Sequence, residues 1–347
     1  MTTLLEPGVE IRPIIESEKC VKLIEDLYGF PCKNLSELNG YDDRNFKVQI
    51  GEETYVLKIM NSLDSKNLQN VEGQNSMMLF LYKNGIKCPT PITNKEKMHY
   101  SVVDLESGRH VVRLMTYLKG KIFHEIPCYA RIFFEAGQFI ARIDTALESF
   151  THTSYESYKT LWMLDSVPQL RQFVHAVDKN ERRRKLEVCI NEFEKRVSGN
   201  SFPRGFIHGD FNEQNIVVVQ ENRNWRISGI LDFGDSHKSC YLYELAVAMT
   251  YMMIVGHDVT IGGHVLAGYQ SIRNVSQEEI SLLKVCVMGR LCQSLILGAY
   301  TSLQHPENSD YLLVTAAPGW ELFEKMYDIE EEKILKIWLD ICDDYRK

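Results

Sequence analysis

Residues 208–235 read HGDFNEQNIVVVQENRNWRISGILDFGD. Two β-rich runs, residues 216–219 and 227–231, flank a polar turn, and this pattern predicts a β-hairpin. In an antiparallel pair the numbers of facing residues have a constant sum, so the turn places Asn215 opposite Asp232. We expect the rest of the chain to hold this hairpin in place.

The polar residues at one end of the hairpin suggest a metal site. An amide oxygen and a carboxylate that converge there suit Mg²⁺, which binds few protein oxygens together with substrate phosphates. Asn215 and Asp232 are therefore candidate metal ligands, and Asp210 would lie beside the metal, where a carboxylate can accept the proton of a hydroxyl. A base, an Asn and an Asp-Phe-Gly aspartate form the set used in phosphoryl transfer. The alternative is an ordinary buried hairpin with solvated polar ends.

These motifs resemble those of a known family. His208-Gly209-Asp210, Asn215 and residues 230–235 look like the catalytic and metal motifs of the aminoglycoside phosphotransferase family, small-molecule kinases with a protein-kinase-like fold. The resemblance covers nearly the whole chain. It implies an α+β, bilobal fold with an antiparallel β-sheet N-lobe and a mainly helical C-lobe.

Further stretches of the resemblance bear on the substrate. They imply 5-hydroxy-L-lysine as the acceptor, Mg²⁺ as the cofactor and GTP as the donor, with ATP as the alternative donor. Neither composition nor spacing shows the acceptor or the donor. Many relatives carry Gly-Asp-Pro and Asp-Leu-Ala after the metal aspartate, where this chain has Ser-Cys-Tyr at 239–241 and Glu-Leu-Ala at 244–246, which argues against an antibiotic-modifying enzyme. The stretches are residues 41–46, 56–59, 228–235, 262–268, 306–308 and 310–312.

A second hairpin is predicted from residues 46–50 and 54–60, with a turn that places Phe46 opposite Lys58. The loop of residues 39–45 then lies beside Lys58, an arrangement that can handle phosphates. Lysine on a strand is otherwise an ordinary solvated side chain.

The resemblance implies roles for this region in nucleotide binding. Lys58 would bind the α and β phosphates, Asn45 matches a recurring loop Asn, and Glu72 on a predicted helix would form an ion pair with Lys58. Residues 114–118 resemble the strand that crosses between lobes, so Met115 and Tyr117 would present backbone groups to the nucleotide base. The alternative is a simple edge strand.

The pattern changes from strand-like to helical near Gly120. We therefore expect an N-terminal nucleotide-binding lobe of residues 1–117 and a C-terminal catalytic and substrate-binding lobe of residues 118–347. Asp235 and His208 are candidate accessory residues for metal or substrate, although Asp235 could equally be a solvated turn carboxylate. Apolar residues at helical spacing predict helices over residues 14–28, 68–83, 132–147, 181–196, 241–254 and 281–300.

Composition limits the partners and the compartment. A net charge of −8 over 347 residues argues against a nucleic-acid partner, which needs a basic patch. Nine cysteines, an odd number without a CxxC pair, predict reduced thiols and a cytoplasmic protein. The start of the chain lacks the basic and apolar segments of a signal peptide, and no apolar run of about 18 residues predicts a membrane span. The oligomeric state stays open.

Two other functional classes remain open. The chain could be a kinase for another small amino alcohol, such as choline, homoserine or an aminoglycoside. It could also be a catalytically silent nucleotide-binding protein, although such proteins usually lose the base or a metal ligand. Asp210, Asn215 and Asp232 are all present here.

Overall fold

The computed structural model describes residues 11–32, 34–40, 42–156, 159–197, 199, 201–304 and 309–347, without the side chains of 304 and 309–315. Three parts of the family resemblance therefore lie outside the description: Tyr41, residues 306–308 and the side chains of residues 310–312.

The first part of the chain forms a five-stranded antiparallel sheet in the order β1-β2-β3-β5-β4. Alternating Phe46, Val48 and Leu57 are buried on one face, where helix α1 packs through residues such as Ile24. Gly29 ends α1 with a φ of 77°, a left-handed conformation that favours glycine. The elements are α1 Ser17–Tyr28, β1 Asn34–Leu38, β2 Arg44–Ile50, β3 Glu53–Ile59, α2 Leu68–Lys83, β4 Ser101–Leu105 and β5 Gly108–Thr116.

The register of the β2–β3 hairpin differs by one residue from the prediction. Asn45 faces Lys58, and Phe46 faces Leu57. The turn consists of Gly51 and Glu52 alone, so its centre lies half a residue earlier than expected. Asn45, and not Phe46, therefore lies opposite Lys58.

The second predicted hairpin is also present, as β8 Ile216–Glu221 and β9 Asn224–Ile230, with the short β6 Lys121–Ile122 beside β8. Its turn is two residues long, because Asn222 and Arg223 have φ values of 49° and 68°, the conformation of a tight hairpin turn.

A β-bulge shifts the pairing inside this hairpin between Val217 and Val218, so that Ile216 faces Ile230. The predicted pairing of Asn215 with Asp232 is therefore wrong by one position. The carbonyl of Asn215 instead accepts a hydrogen bond from the N–H of Leu231 at 2.7 Å. Asp232 follows immediately with a φ of 53° and leaves the strand direction.

A short antiparallel pair frames the same region. Strand β7, Arg204–Ile207, runs directly into His208, and β10, His237–Cys240, begins two residues after Asp235. Both loops of the motif, residues 208–215 and 231–236, are thus held at each end by strands.

The rest of the chain is mainly helical, and every helix predicted from periodicity is present within a few residues of its expected ends. Short 3₁₀ segments, the longest being Leu164–Gln172, connect the α-helices. The helices are α3 Ala130–Leu147, α4 Asn180–Arg196, α5 Tyr241–Gly256, α6 Ile261–Gln270, α7 Gln277–Gln304, α8 Ser309–Asp328 and α9 Glu331–Arg346.

Helix α7 is the core of this region. Within the described chain it is the one helix long and apolar enough to span a membrane by length and composition, with a mean hydropathy of 1.6 over 18 residues. The expectation that no such run exists needs this correction. That window is 83% buried against neighbouring helices, chiefly α8, α5 and α4, and burial accounts for its apolar composition.

The glycine-rich stretch at residues 262–268 has a packing role. A Cβ on Gly268 would lie 1.9 Å from the carbonyl oxygen of Phe134 in α3, and one on Gly262 would lie 2.7 Å from the Trp338 ring in α9. Glycine is therefore required for α6 to approach α3 and α9 this closely.

All nine cysteines are free thiols, as the sequence predicts. Seven are buried, Cys32 is half-buried and Cys128 is exposed.

Candidate active site

Strand β3 and the β8–β9 hairpin meet at an ion pair. The Nζ atom of Lys58 lies 3.5 Å from Oδ2 of Asp232 and 2.7 Å from Oδ2 of Asp43. Burial disfavours the charge of Lys58, but the carboxylates of Asp232 and Asp43 outweigh it and raise the pKa of Lys58 above its ordinary value. The Lys58 ammonium in turn holds the pKa of Asp232 below its usual range. Both groups are therefore charged at neutral pH.

The predicted ion pair between Lys58 and Glu72 is not formed. Glu72 is exposed on α2, where its Oε1 accepts a hydrogen bond from the Tyr100 hydroxyl at 3.1 Å. The helix turns Val71, Gly73 and Gln74 towards the core and Glu72 away from it. Asp43 takes the position beside Lys58 that the prediction gave to Glu72.

The Asp43 carboxylate is held by hydrogen bonds from Asn61, which lies just after strand β3. Its Oδ1 accepts hydrogen bonds from the backbone N–H of Asn61 at 2.7 Å and from the Asn61 side chain at 3.0 Å. The carboxylate therefore has one oxygen for Asn61 and the other for Lys58. This partner was missed because Asp43 comes from a loop with no helical or strand periodicity.

The loop before β2 closes over the end of the strand pair. The Asn45 side chain lies 3.4 Å from the carbonyl oxygen of Asn39, and a Cβ on Gly40 would come within 2.5 Å of the Asp43 carbonyl oxygen. Only glycine fits there. The described residues of this loop thus place Asn45 and Asp43 next to Lys58.

Asp210 has a carboxylate fixed on both oxygens. Its Oδ2 accepts hydrogen bonds from the side-chain amides of Asn215 at 2.8 Å and Asn212 at 2.9 Å. Its Oδ1 accepts a hydrogen bond from Nη2 of Arg290 at 3.0 Å. Sequence reasoning identified Asp210 and Asn215, but it assigned no role to Asn212 or Arg290.

Glu244 anchors the loop that carries Asp210. The buried carboxylate accepts hydrogen bonds from the backbone N–H groups of His208 at 3.0 Å and Gly209 at 2.9 Å. Burial raises the pKa of Glu244 to about 7. The Glu-Leu-Ala segment noted in the sequence thus has a structural role that the sequence alone did not reveal.

His208 is tied to the backbone through both ring nitrogens. Its Nε2 lies 2.8 Å from the Leu231 carbonyl oxygen, and its Nδ1 accepts a hydrogen bond from the N–H of Asp210 at 3.3 Å. These partners assign a neutral ring with the proton on Nε2. Burial lowers the pKa of His208, in agreement with a neutral ring. His208 therefore links the two loops of the motif.

Asp235 lies close to Asp210. Burial, strengthened by the charge of Asp210, raises the pKa of Asp235 to about 8. The two loops approach closely here, because a Cβ on Gly209, whose φ is 82°, would lie 2.4 Å from the Asp235 carbonyl oxygen. The carboxyl of Asp235 therefore keeps its proton to a higher pH than an ordinary aspartate, and a cation beside it would favour its ionised form.

Met115 and Tyr117 lie at the end of β5. Met115 is buried opposite Val56, and the N–H of Tyr117 donates to the Thr54 carbonyl oxygen at 3.3 Å. The Tyr117 ring has the ammonium of Lys47 at 4.8 Å from its centroid. The backbone donor of Tyr117 is therefore already used, and a nucleotide base at this strand end would meet the carbonyl or the residues that follow.

The donor atoms fit a hard divalent cation. The amide nitrogen of Asn215 donates to Asp210, which leaves the amide oxygen as the group available to a metal. Asp232, next to the residue that pairs with Asn215, is 48% exposed in its side chain. The described residues contain no cluster of three His, Cys, Asp or Glu side chains suited to a metal, so phosphates and water would complete the shell.

The family is shown by comparison with known proteins. Residues 35–275 match the model of the phosphotransferase enzyme family. A hydroxylysine kinase from Xenopus laevis is 35% identical, over 96% of this chain and 96% of that protein. A homoserine kinase from Methylobacillus glycogenes is 22% identical, over 90% of this chain and 95% of that protein.

The solved structures show the fold. An amicoumacin kinase in complex with AMP-PNP and Ca²⁺ matches with a TM-score of 0.70 at 14% identity, over 92% of this chain and 97% of that chain. This likeness confirms the α+β, protein-kinase-like fold expected from the motifs. By motif, by fold and by similarity along most of its length, the chain belongs to the phosphotransferase enzyme family.

Proposed function

We propose that this protein transfers the γ-phosphoryl group of GTP, or alternatively of ATP, to the side-chain hydroxyl of 5-hydroxy-L-lysine, which gives 5-phosphohydroxy-L-lysine. The similarity to a hydroxylysine kinase, 35% identical along 96% of both chains, is the observation that carries the choice of acceptor. The convergence of Lys58, Asp210, Asn215 and Asp232 supports the reaction type.

The residues take the following roles in this proposal. Asp210 orients the acceptor hydroxyl and receives its proton as the oxygen bonds to the γ-phosphorus, while the bond from that phosphorus to the β–γ bridging oxygen breaks and GDP leaves. Lys58 binds the phosphates, and Asn45 in its loop lies over them. Met115 and Tyr117 lie beside the base.

Asn215 and Asp232 would hold Mg²⁺. When bound, the ion neutralises the charge of the phosphates. The free amide oxygen of Asn215 and the exposed carboxylate of Asp232 support this assignment. The nucleotide donor is supported by the AMP-PNP named in the complex of the amicoumacin kinase.

Charge near Asp210 favours a cationic acceptor. Glu213 and Asp235 lie near enough to Asp210 for its charge to raise their pKa values, in addition to the larger effect of burial. One oxygen of Glu213 is buried and has no hydrogen-bond partner among the described residues. An ammonium group beside the reacting hydroxyl, as in hydroxylysine, suits such surroundings.

Homoserine is the second candidate acceptor, because a homoserine kinase is 22% identical along 90% of this chain. It too carries a hydroxyl and an ammonium group, but they are further apart. Free cysteines throughout the chain support a reducing, cytoplasmic setting for either reaction.

A panel of acceptors with GTP or ATP and Mg²⁺ tests the proposal. We expect hydroxylysine to exceed homoserine, choline and an aminoglycoside by roughly 10² or more in kcat/KM, because buried polar groups reject analogues that leave them unpaired. Lysine, without the hydroxyl, should inhibit weakly and not be phosphorylated. The readouts are GDP or ADP release and mass spectrometry of the product.

Each alternative has its own outcome in this panel. Equal rates on the alcohols would contradict the acceptor, and a preference for homoserine would replace it. A protein that binds nucleotide and phosphorylates nothing would support the catalytically silent alternative. Asp210→Asn serves as the control for contaminating kinases.

A further inference from the structure

Arg290 is a buried cation in the middle of the apolar helix α7. Its side chain is 1% exposed, and its neighbours Met288, Leu291 and Cys292 are buried apolar residues. Arginine is rarely buried without a partner, because burying an unpaired charge is costly. The partners of this guanidinium should therefore explain its presence.

Asp210 is the one carboxylate among the described residues that forms an ion pair with the guanidinium. Nη2 donates to Oδ1 of Asp210 at 3.0 Å, and Nη1 donates to the Trp162 carbonyl oxygen at 3.1 Å. The planar group also packs against the rings of Trp162 and Tyr251, with its central carbon 5.1 and 5.2 Å from their centroids. Both its position and its plane are thus fixed around the carboxylate.

The surroundings explain why a cation is needed there. Asp235, Glu213 and Glu244 all lie near enough to Asp210 for its charge to raise their pKa values, with burial as the larger cause. Arg290 opposes this effect on Asp235 and Glu244. It therefore favours the ionised form of Asp210, Asp235 and Glu244 in a buried site where several carboxyl groups lie close together.

The same face of α7 also holds the neighbouring loop. Gln293, three residues after Arg290 and fully buried, donates to the carbonyl oxygens of Leu161 at 2.8 Å and Met163 at 2.7 Å. Arg290 and Gln293 thus attach residues 161–163 to α7, and Oε1 of Gln293 accepts a long hydrogen bond from Nη1 of Arg290 at 3.5 Å. The described contacts of Gln293 do not include Asp210, so Arg290 alone of the two contacts the base directly.

We propose that Arg290 is a positioning residue for phosphoryl transfer, which holds the Asp210 carboxylate in the orientation in which it meets the acceptor hydroxyl. This inference rests on the proposed function of Asp210. Arg290 lies beyond residues 35–275, the part of the chain that matches the family model. The contact therefore comes from a helix outside the shared motifs.

The first test compares Arg290→Met, Arg290→Lys and Gln293→Met with the unaltered enzyme. We expect Arg290→Met to lower kcat roughly 10- to 100-fold, as for loss of a charge-assisted hydrogen bond, with less than about a threefold change in acceptor KM and nucleotide Kd. Arg290→Lys should recover part of kcat, because lysine keeps the charge without the planar fork. Gln293→Met should lower the unfolding midpoint and change kcat by less than about threefold.

A double-mutant cycle with Asp210→Asn separates positioning from packing. If Arg290 acts through Asp210, Arg290→Met should reduce kcat by less than about threefold further in the Asp210→Asn background. An equal loss in both backgrounds would overturn the proposal, as would a loss in Gln293→Met as large as that in Arg290→Met.

Two measures keep the outcome decisive. Thermal unfolding and nucleotide titration identify variants that fail to fold, in which case the cycle is run with Arg290→Lys. The cycle is also measured on the basal hydrolysis of GTP, where water replaces the acceptor. If the enzyme hydrolyses GTP but does not phosphorylate hydroxylysine, the proposed acceptor is wrong. If the losses of kcat caused by the two substitutions are additive in the hydrolysis assay, the proposed role of Arg290 is wrong.

Discussion

At Lys58, the two carboxylates within reach come from different parts of the chain. Asp43 belongs to the loop before β2 and lies 2.7 Å away, whereas Asp232 belongs to the motif and lies 3.5 Å away. Since Asp232 is also the proposed metal ligand, Asp43 is the partner free to orient the lysine. Asp43, a loop residue, thus lies where Glu72 of helix α2 was expected to form an ion pair with Lys58.

Substitution of these acids should separate the two candidates. Asp43→Asn should lower kcat/KM for the nucleotide about tenfold or more, because Lys58 loses the partner that holds it in a buried position. Glu72→Gln should change kcat/KM less than about twofold, since Glu72 makes an exposed hydrogen bond to Tyr100. Steady-state kinetics with varied nucleotide measures both effects.

A larger loss of kcat/KM in Glu72→Gln than in Asp43→Asn would support the predicted ion pair between Lys58 and Glu72 instead. A gain in nucleotide affinity in Asp43→Asn, measured by titration, would show instead that Asp43 competes with the phosphates for Lys58.

Individual site residues differ in how visible they are in the sequence. Asp210, Asn215 and Asp232 were identifiable because they are near one another in the chain and their spacing is limited by one hairpin. Arg290 lies 80 residues from Asp210, and no local pattern joins them. The one available signal was an arginine within a long apolar helix, which indicates a buried partner without naming it.

At the scale of elements, the periodicity of apolar residues predicted the helices, but it did not predict the register of the β8–β9 hairpin. The bulge between Val217 and Val218 places an extra residue, Ser228, in β9. Nothing in the composition of the strand marks this position, because bulges depend on how the strands are held at their ends. Their effect here is to pair Asn215 with Leu231, so that Asp232 begins the following loop.

The crossing of α3 and α6 provides a test at this scale. Gly268→Ala should destabilise the protein by about 1–3 kcal/mol or more, because the new methyl group meets the Phe134 backbone, which cannot move cheaply. Gly298→Ala in α7 is the matched control, since a Cβ there meets no atom within 4 Å among the described residues. It should stabilise the protein by about 0.5–1 kcal/mol through helix propensity.

Urea unfolding of the two variants and the unaltered protein measures both changes. Equal effects of the two alanines would mean that α3 and α6 separate at little cost. In that event the 262–268 stretch would need an explanation other than packing.

For the whole molecule, buried carboxyl groups should dominate the pH dependence of stability. Asp144 is fully buried and bound by the Tyr269 hydroxyl at 2.6 Å, and burial raises its pKa well above the ordinary value. Burial likewise raises the pKa of Glu244 to about 7 and that of Asp235 to about 8. The folded protein therefore binds more protons than the unfolded chain between the ordinary carboxyl pKa and these values.

We expect the free energy of unfolding to fall as the pH rises from about 6.5 to 8. Folded-state pKa values above the unfolded ones give stability that is lost as these groups ionise in the folded protein. Buried His208 and His237 act in the opposite sense, because burial lowers their pKa values, to about 4 for His237. Their contribution ends near the ordinary histidine pKa of about 6.5, so it does not mask the fall above that pH.

Urea unfolding at closely spaced pH values measures this slope. Glu244→Gln should make the slope shallower by removing one of the groups that ionise in this window. A stability that is flat or rising from pH 6.5 to 8 would contradict the ionisation of these carboxyls in the folded state. The division of the chain after residue 117 stays a prediction at this scale.

The contact between Arg290 and Asp210 also bears on how the chain can be divided for experiments. A fragment ending at residue 275 would contain every matched family position and still lack the cation that compensates its base. If Arg290 positions Asp210 as we propose, a fragment with full activity has to extend into α7, at least as far as the turn with Gln293. A substitution in this helix can then alter the reactivity of a motif whose own residues are unchanged.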